Sequence, residues 1–174
     1  SSEGLKAMRT GVHTGFVLAF LALCSQARGQ VVLSEVMYDP VGPEYHDEYV
    51  ELVNTSETET IDLSGWRLGD AIEQDLLVDA GAGLVLHPGQ FALVLDGSYF
   101  GQSTTYEDLH TDAVLLKIED RAFGRAGWAN SGEEVVILSG ATGDTVEVFR
   151  YQPLQRPGFS WEKVDLRAGA KDGN

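Results

Sequence analysis

Between residues 31 and 164 the apolar side chains come in short runs with Gly, Pro, Asn, Asp and Ser between them. No window there sustains the i, i+3, i+4, i+7 stripe of an amphipathic helix over three turns. A chain punctuated this way can bury its apolar faces only by stacking short strands, which points to a β-sandwich or barrel. The runs at 31–38, 48–54, 60–68, 76–78, 83–86, 90–95, 113–118, 134–138, 145–151 and 160–164 are the expected strands. Two breaks carry recognisable turn chemistry. His87-Pro88-Gly89 suits a turn with Pro at its second position and Gly at its third, and Ala141-Thr142-Gly143-Asp144 suits a hairpin.

The first 29 residues do not fit that pattern. Met8-Arg9 opens a short basic region, residues 16 to 23 are uniformly apolar, and Ala27-Arg28-Gly29 supplies small residues where a signal peptidase cuts. Eight apolar residues cannot cross a hydrocarbon core that needs about 20. The expectation is a cleaved secretory signal over residues 1–29, a folded domain over 30–166, and a Gly-rich tail or linker over 167–174. The protein is thus expected outside the cell or at its surface, with no membrane insertion after cleavage. Cys24, the one cysteine, lies in the leader. A lipid anchor there is the weaker alternative, because Leu23 stands where a small residue is needed. Cleavage after Gly29 leaves no disulfide, so the core must carry the stability.

Charge narrows the partners. The chain has 12 basic and 27 acidic residues, a net −15. Removing Lys6, Arg9, Arg28 and Glu3 with the leader leaves 9 − 26 = −17. Such a surface repels phosphate backbones and anionic lipid and attracts cations, so no nucleic-acid partner is expected.

Six stretches resemble one family. They are residues 32–40 (VLSEVMYDP), 48–54 (EYVELVN), 61–68 (IDLSGWRL), 86–90 (LHPGQ), 130–138 (NSGEEVVIL) and 160–165 (SWEKVD). In this order they are similar to the lamin-tail domain in its bacterial secreted form. The resemblance implies an all-β, immunoglobulin-like β-sandwich, and a part in exported or surface proteins that carry further domains. It also implies that Trp66 is a core residue; strand alternation agrees, placing Trp66 and Leu68 on one face. Trp128, in a Gly-rich stretch, is expected to cap the sandwich. Asn54-Thr55-Ser56 fits a glycosylation sequon, but an Asn closing a strand more often bonds its own turn.

Candidate chemistry gathers at the first hairpin, where Glu35, Asp39, Glu44, Asp47, Glu48 and Glu51 lie close in sequence. If residues 39–47 form its loop, Val36 faces Val50 and Glu35 falls opposite Glu51, a destabilising juxtaposition that needs an offset. A calcium ion held by Glu35, Asp39, Asp47, Glu48 and Glu51 would supply one, since Ca²⁺ takes six to eight oxygens. Solvated surface carboxylates are the plainer reading.

The weakest of three readings is an extracellular hydrolase or nuclease, or an accessory domain of one. His46, His87 and His110 each stand alone, and no nucleophile elbow, zincin or phosphate-loop motif occurs. Glu133 and Glu134 would point to opposite faces of a strand, so they cannot flank one glycosidic bond. The expectation is a non-catalytic module binding a protein or glycan at the cell surface. No cofactor is expected beyond the calcium alternative.

Overall fold

The structure is a computed structural model that describes residues 31–42, 46–107, 112–131, 134–154 and 156–166. The expected leader with Cys24, the tail, Glu44, His110 and Glu133 lie outside the described residues. Eleven strands follow in order: β1 Val31–Met37, β2 Tyr49–Asn54, β3 Ile61–Asp62, β4 Arg67–Gly69, β5 Gln74–Asp79, β6 Val85–Leu86, β7 Phe91–Leu95, β8 Val114–Ile118, β9 Glu134–Ser139, β10 Thr145–Tyr151 and β11 Trp161–Glu162. Among the described residues there is no α-helix, as the periodicity requires.

Nine strands are hydrogen-bonded in the order β10-β9-β4-β5-β8-β7-β2-β1-β11, and β3 and β6 form a separate small pair. Strand β5 joins two layers. Its first half pairs with β4 (Leu68↔Asp75) and its second half with β8 (Leu77↔Ile118). The core between the layers draws Leu33, Val36, Val50, Leu52, Val94 and Leu116 from one side. Leu68, Val136, Leu138, Phe149 and Tyr151 come from the other. Strands β7 and β8 run parallel, so the chain between them must cross over rather than turn back. That crossover places residues 96–107 against the end of the first hairpin.

The expected turns are present. Gly89 has φ 71° and the Gln90 N–H donates to the His87 carbonyl at 3.0 Å. Gly143, at φ 84°, turns β9 into β10. One expected strand is not continuous, however. Residues 60–68 split into β3 and β4, because Ser64-Gly65 makes a turn in which the Trp66 N–H donates to the Leu63 carbonyl at 3.0 Å. Alternation therefore does not run through the break. Leu63 and Leu68 are fully buried, while Trp66 is only half-buried, packed on the rim of the core. Trp128 goes the other way: it is buried and stacks on Phe123 with ring centroids 5.0 Å apart.

Strand β1 carries a bulge at Ser34, between the Leu33↔Leu52 and Glu35↔Glu51 pairs. The extra residue switches parity, so Val31 and Leu33 face the core before it and Val36 and Tyr38 after it. The Leu33 N–H is met by Glu147 Oε2 at 2.5 Å. Glu147 is in turn ion-paired to Lys163, both side chains at most 1% exposed, and the Lys163 ammonium lies 5.4 Å from the Phe149 ring centroid. The Lys163 N–H donates to the Ser34 carbonyl at 2.8 Å. A carboxylate from β10 and the segment after β11 thus satisfy the bulge and tie the two layers together along that side.

Asn54 is also fully buried. Its amide donates to the carbonyls of Glu59 at 2.8 Å and Leu86 at 3.1 Å, and its Oδ1 accepts from the Ser56 N–H at 3.0 Å. The sequon asparagine is a structural pin, with its amide committed to the fold.

Candidate functional site: an acidic face on the first hairpin

The outer face of β11, β1, β2 and β7 is built by the pleat. With Val36 and Val50 directed into the core, Glu35 and Glu51 must point outward. The register sets Glu35 opposite Glu51 on one side and opposite Glu162 of β11 on the other. Three glutamates therefore stand in one row across three strands. They line a cleft of about 420 Å³ whose other walls include Gln90, Phe91 and Asp112.

The repulsion within this row is relieved partly by neutral donors. Tyr49 donates its hydroxyl to Glu35 at 2.6 Å, and Ser34 donates to Glu51 at 2.8 Å. Burial pushes the Glu51 carboxyl above the usual range; the Ser34 bond opposes this, while Glu35 and Glu162 add to it. The Tyr49 phenol is likewise pushed up, first by burial and then by its bond to Glu35. Tyr49 also meets Tyr106 edge-to-face at 5.5 Å, and Tyr106 bonds the Asp47 carbonyl at 2.6 Å, so the crossover props this face from one end.

The five residues expected to hold calcium are not brought to one point. Glu35 and Glu51 face each other, as the loop length predicts. Asp47 is buried at the crossover, where Oδ2 accepts from Thr105 at 2.8 Å and Oδ1 is buried with no hydrogen-bond partner. Glu48 is buried elsewhere, its two oxygens accepting the Trp128 N–H at 3.2 and 3.1 Å. Asp39 is buried in a loop whose carbonyl takes the Gly158 N–H at 2.6 Å. Sequence proximity misleads here, because successive residues leave the hairpin in different directions.

One carboxylate cluster among the described residues was not anticipated. Glu73, Asp75 and Asp120 each bring an oxygen within 4.8 Å of the others. They come from β5, its preceding turn and the end of β8, so no local pattern could have revealed them. Asp75 is buried and accepts the Gly124 N–H at 2.7 Å. Burial, with Asp120, Glu73 and Glu119 adding to it, pushes its pKa up to about 6.

That shift makes a testable prediction. The folded state holds the Asp75 proton more tightly than the unfolded state, whose pKa is about 3.9. Below about pH 4 both states are protonated and nothing is lost. Stability then falls as pH rises through about 6, because ionisation must occur in a buried, acidic site. Asp75→Asn keeps the acceptor for Gly124 and removes the charge. With EDTA present, it is expected to raise stability at pH 7.5 by about 1–3 kcal/mol, and the gain should vanish near pH 4. Melting curves at the two pH values decide; a gain of equal size at both would sink the assignment.

Two of the histidines can be placed. His87 is exposed beside Thr60 at 3.3 Å, a surface residue as expected. His46 is not alone: its Nδ1 lies 2.9 Å from Ser98 Oγ, which donates to Asp96 Oδ1 at 2.5 Å. The order acid–serine–histidine differs from a hydrolytic triad, in which the acid orients the histidine and the histidine accepts the serine proton. Ser98 gives its proton to Asp96, so it is not set up as a nucleophile.

No curated protein matches the chain at a significant level. A family model described as the lamin tail domain matches residues 25–153, most of the chain.

Proposed function

The chain belongs to the lamin tail domain family, and from that premise we propose that it is a non-catalytic β-sandwich interaction module, exported to the cell surface or beyond as part of a larger protein. Its partner is a protein or glycan at the surface, engaged through the outer face of β11, β1 and β2. The observation that carries this reading is the row Glu162–Glu35–Glu51 along the cleft with Phe91. A net −15 surface with a concave, partly apolar acidic cleft favours cationic groups such as Lys and Arg side chains or amino sugars. Nucleic acid and anionic lipid are disfavoured by the same charge.

Titrating the full chain with an oligolysine peptide at low salt tests the face. Amide shifts are expected along β1, β2 and β11, weakening in the Glu35→Gln/Glu51→Gln double variant and as salt rises. Absence of shifts at these strands would remove the reading.

A calcium-stabilised adhesion domain is the second reading, favoured by the direct Glu35–Glu51 juxtaposition. Its ligands would include Glu35 and Glu51, which stand opposite each other across the first hairpin, while Asp47 and Glu48 accept hydrogen bonds elsewhere. Calcium at about 100 times its dissociation constant adds about 2.7 kcal/mol. For a domain of this size melting should rise by roughly 5–10 °C. An unchanged melting temperature in millimolar calcium against chelator removes calcium from the account.

A further inference from the structure

A second cleft, of about 450 Å³, shares no lining residue with the acidic one. It is lined by His46, Gly97, Ser98, Phe100, Gln102 and Arg121. In a chain with 27 acidic residues, none of the described residues that line this cleft carries a carboxylate. Its walls supply instead a guanidinium, an imidazole, a carboxamide, a hydroxyl and an apolar ring.

Two observations make this more than a crevice. Among the described residues, no carboxylate lies within salt-bridge distance of Arg121 or of Lys117, whose ammonium sits 5.3 Å from the Phe100 ring centroid. Unmatched cations at one corner of so acidic a molecule are available to a ligand. The His46 ring is also held in place. Ser98 spends its one proton on Asp96, so its oxygen must accept from His46, which fixes a proton on Nδ1. Asp96 is only 1% exposed and stands behind Ser98, with Oδ2 buried and unbonded.

From these placements we propose that the cleft between His46, Gln102 and Arg121 binds a small oxyanion, a carboxylate or phosphate group, with Phe100 as its apolar wall. The guanidinium takes such a group bidentately, and the Gln102 carboxamide adds a donor. The site lies apart from the acidic face, so it stands or falls independently of the function proposed above.

The test follows amide and Arg Nε resonances of the full chain at low ionic strength during titration with sodium phosphate, sodium glucuronate and, as a neutral control, glucose. Saturable shifts at Gly97, Ser98, Gln102 and Arg121 are expected with at least one anion and not with glucose. A response to phosphate alone assigns the site to phosphate groups; a response to glucuronate alone assigns it to sugar acids. Arg121→Gln is expected to weaken binding by about tenfold or more, the loss of a charge-assisted contact. Arg121 is exposed and forms no ion pair among the described residues, so this variant should melt with the parent. Gln102→Ala, also at an exposed position, is the second variant and should weaken binding by a smaller factor. No saturable shift with either anion overturns the proposal, as does binding that Arg121→Gln leaves unchanged.

Discussion

Replacing Lys163 by Met is expected to destabilise the domain by about 3–5 kcal/mol, the cost of leaving a buried charge without its partner. For a domain with a total stability of about 5–15 kcal/mol this is the difference between a folded and a marginal protein. Glu147 is buried and accepts from the Lys163 ammonium and from the Leu33 N–H at the β1 bulge. Removing Lys163 leaves that buried carboxylate without its cationic partner. The double variant Lys163→Met/Glu147→Met should be less damaged than the sum of the two single changes. Two methionines restore an apolar match, and the remaining cost is the orphaned Leu33 N–H, about 1–3 kcal/mol. A cycle of urea denaturations on the four proteins measures this coupling. Strict additivity would mean that the pair does not act as a unit at the bulge.

Trp128→Ala is expected to cost about 3–5 kcal/mol as well, by a different route. The ring is buried, stacked on Phe123, and its removal leaves a cavity where the two layers meet the 123–128 loop. Trp128→Phe should cost under about 1.5 kcal/mol, the usual limit for an apolar swap that nearly conserves shape. The reason is that the indole Nε1 is buried with no hydrogen-bond partner, so Phe removes an unsatisfied donor along with some apolar area. Denaturant titration of the three proteins separates the cases. If Phe proves as costly as Ala, the indole N–H has an acceptor and the packing account fails. The backbone N–H of Trp128, which bonds both oxygens of Glu48, survives in either variant.

Sequence patterns located most strands because alternation and turn chemistry are local. The Pro88-Gly89 turn, the 141–144 hairpin and the absence of helix all follow from residues within one turn of each other. The Glu35–Glu51 pairing was legible for the same reason: a loop of known length fixes the register of the strands on either side. That register survives because the bulge at Ser34 lies beyond it, towards the start of β1. Trp66 marks where the local rule stops. Alternation assumed a continuous strand, and the Ser64-Gly65 turn broke it, leaving the ring on the rim while Leu68 entered the core.

By itself, then, the sequence determined an all-β chain of lamin-tail type, its outward glutamates on the first hairpin, and a net charge of −15. Each of these depends on side-chain period, turn chemistry or summed charge, which are properties of neighbours or of the whole composition. The tertiary structure alone decided which acidic groups meet. Glu162 joins Glu35 from 127 positions away, Asp75 meets Asp120 across β5 and β8, and Glu147 reaches Leu33 across 114 residues. It also separated Asp39, Asp47 and Glu48 from the glutamates beside them in the chain, and brought His46 to Ser98 and Arg121. Such contacts depend on how layers stack and crossovers route, and burial then sets their energies. No local spacing encodes either.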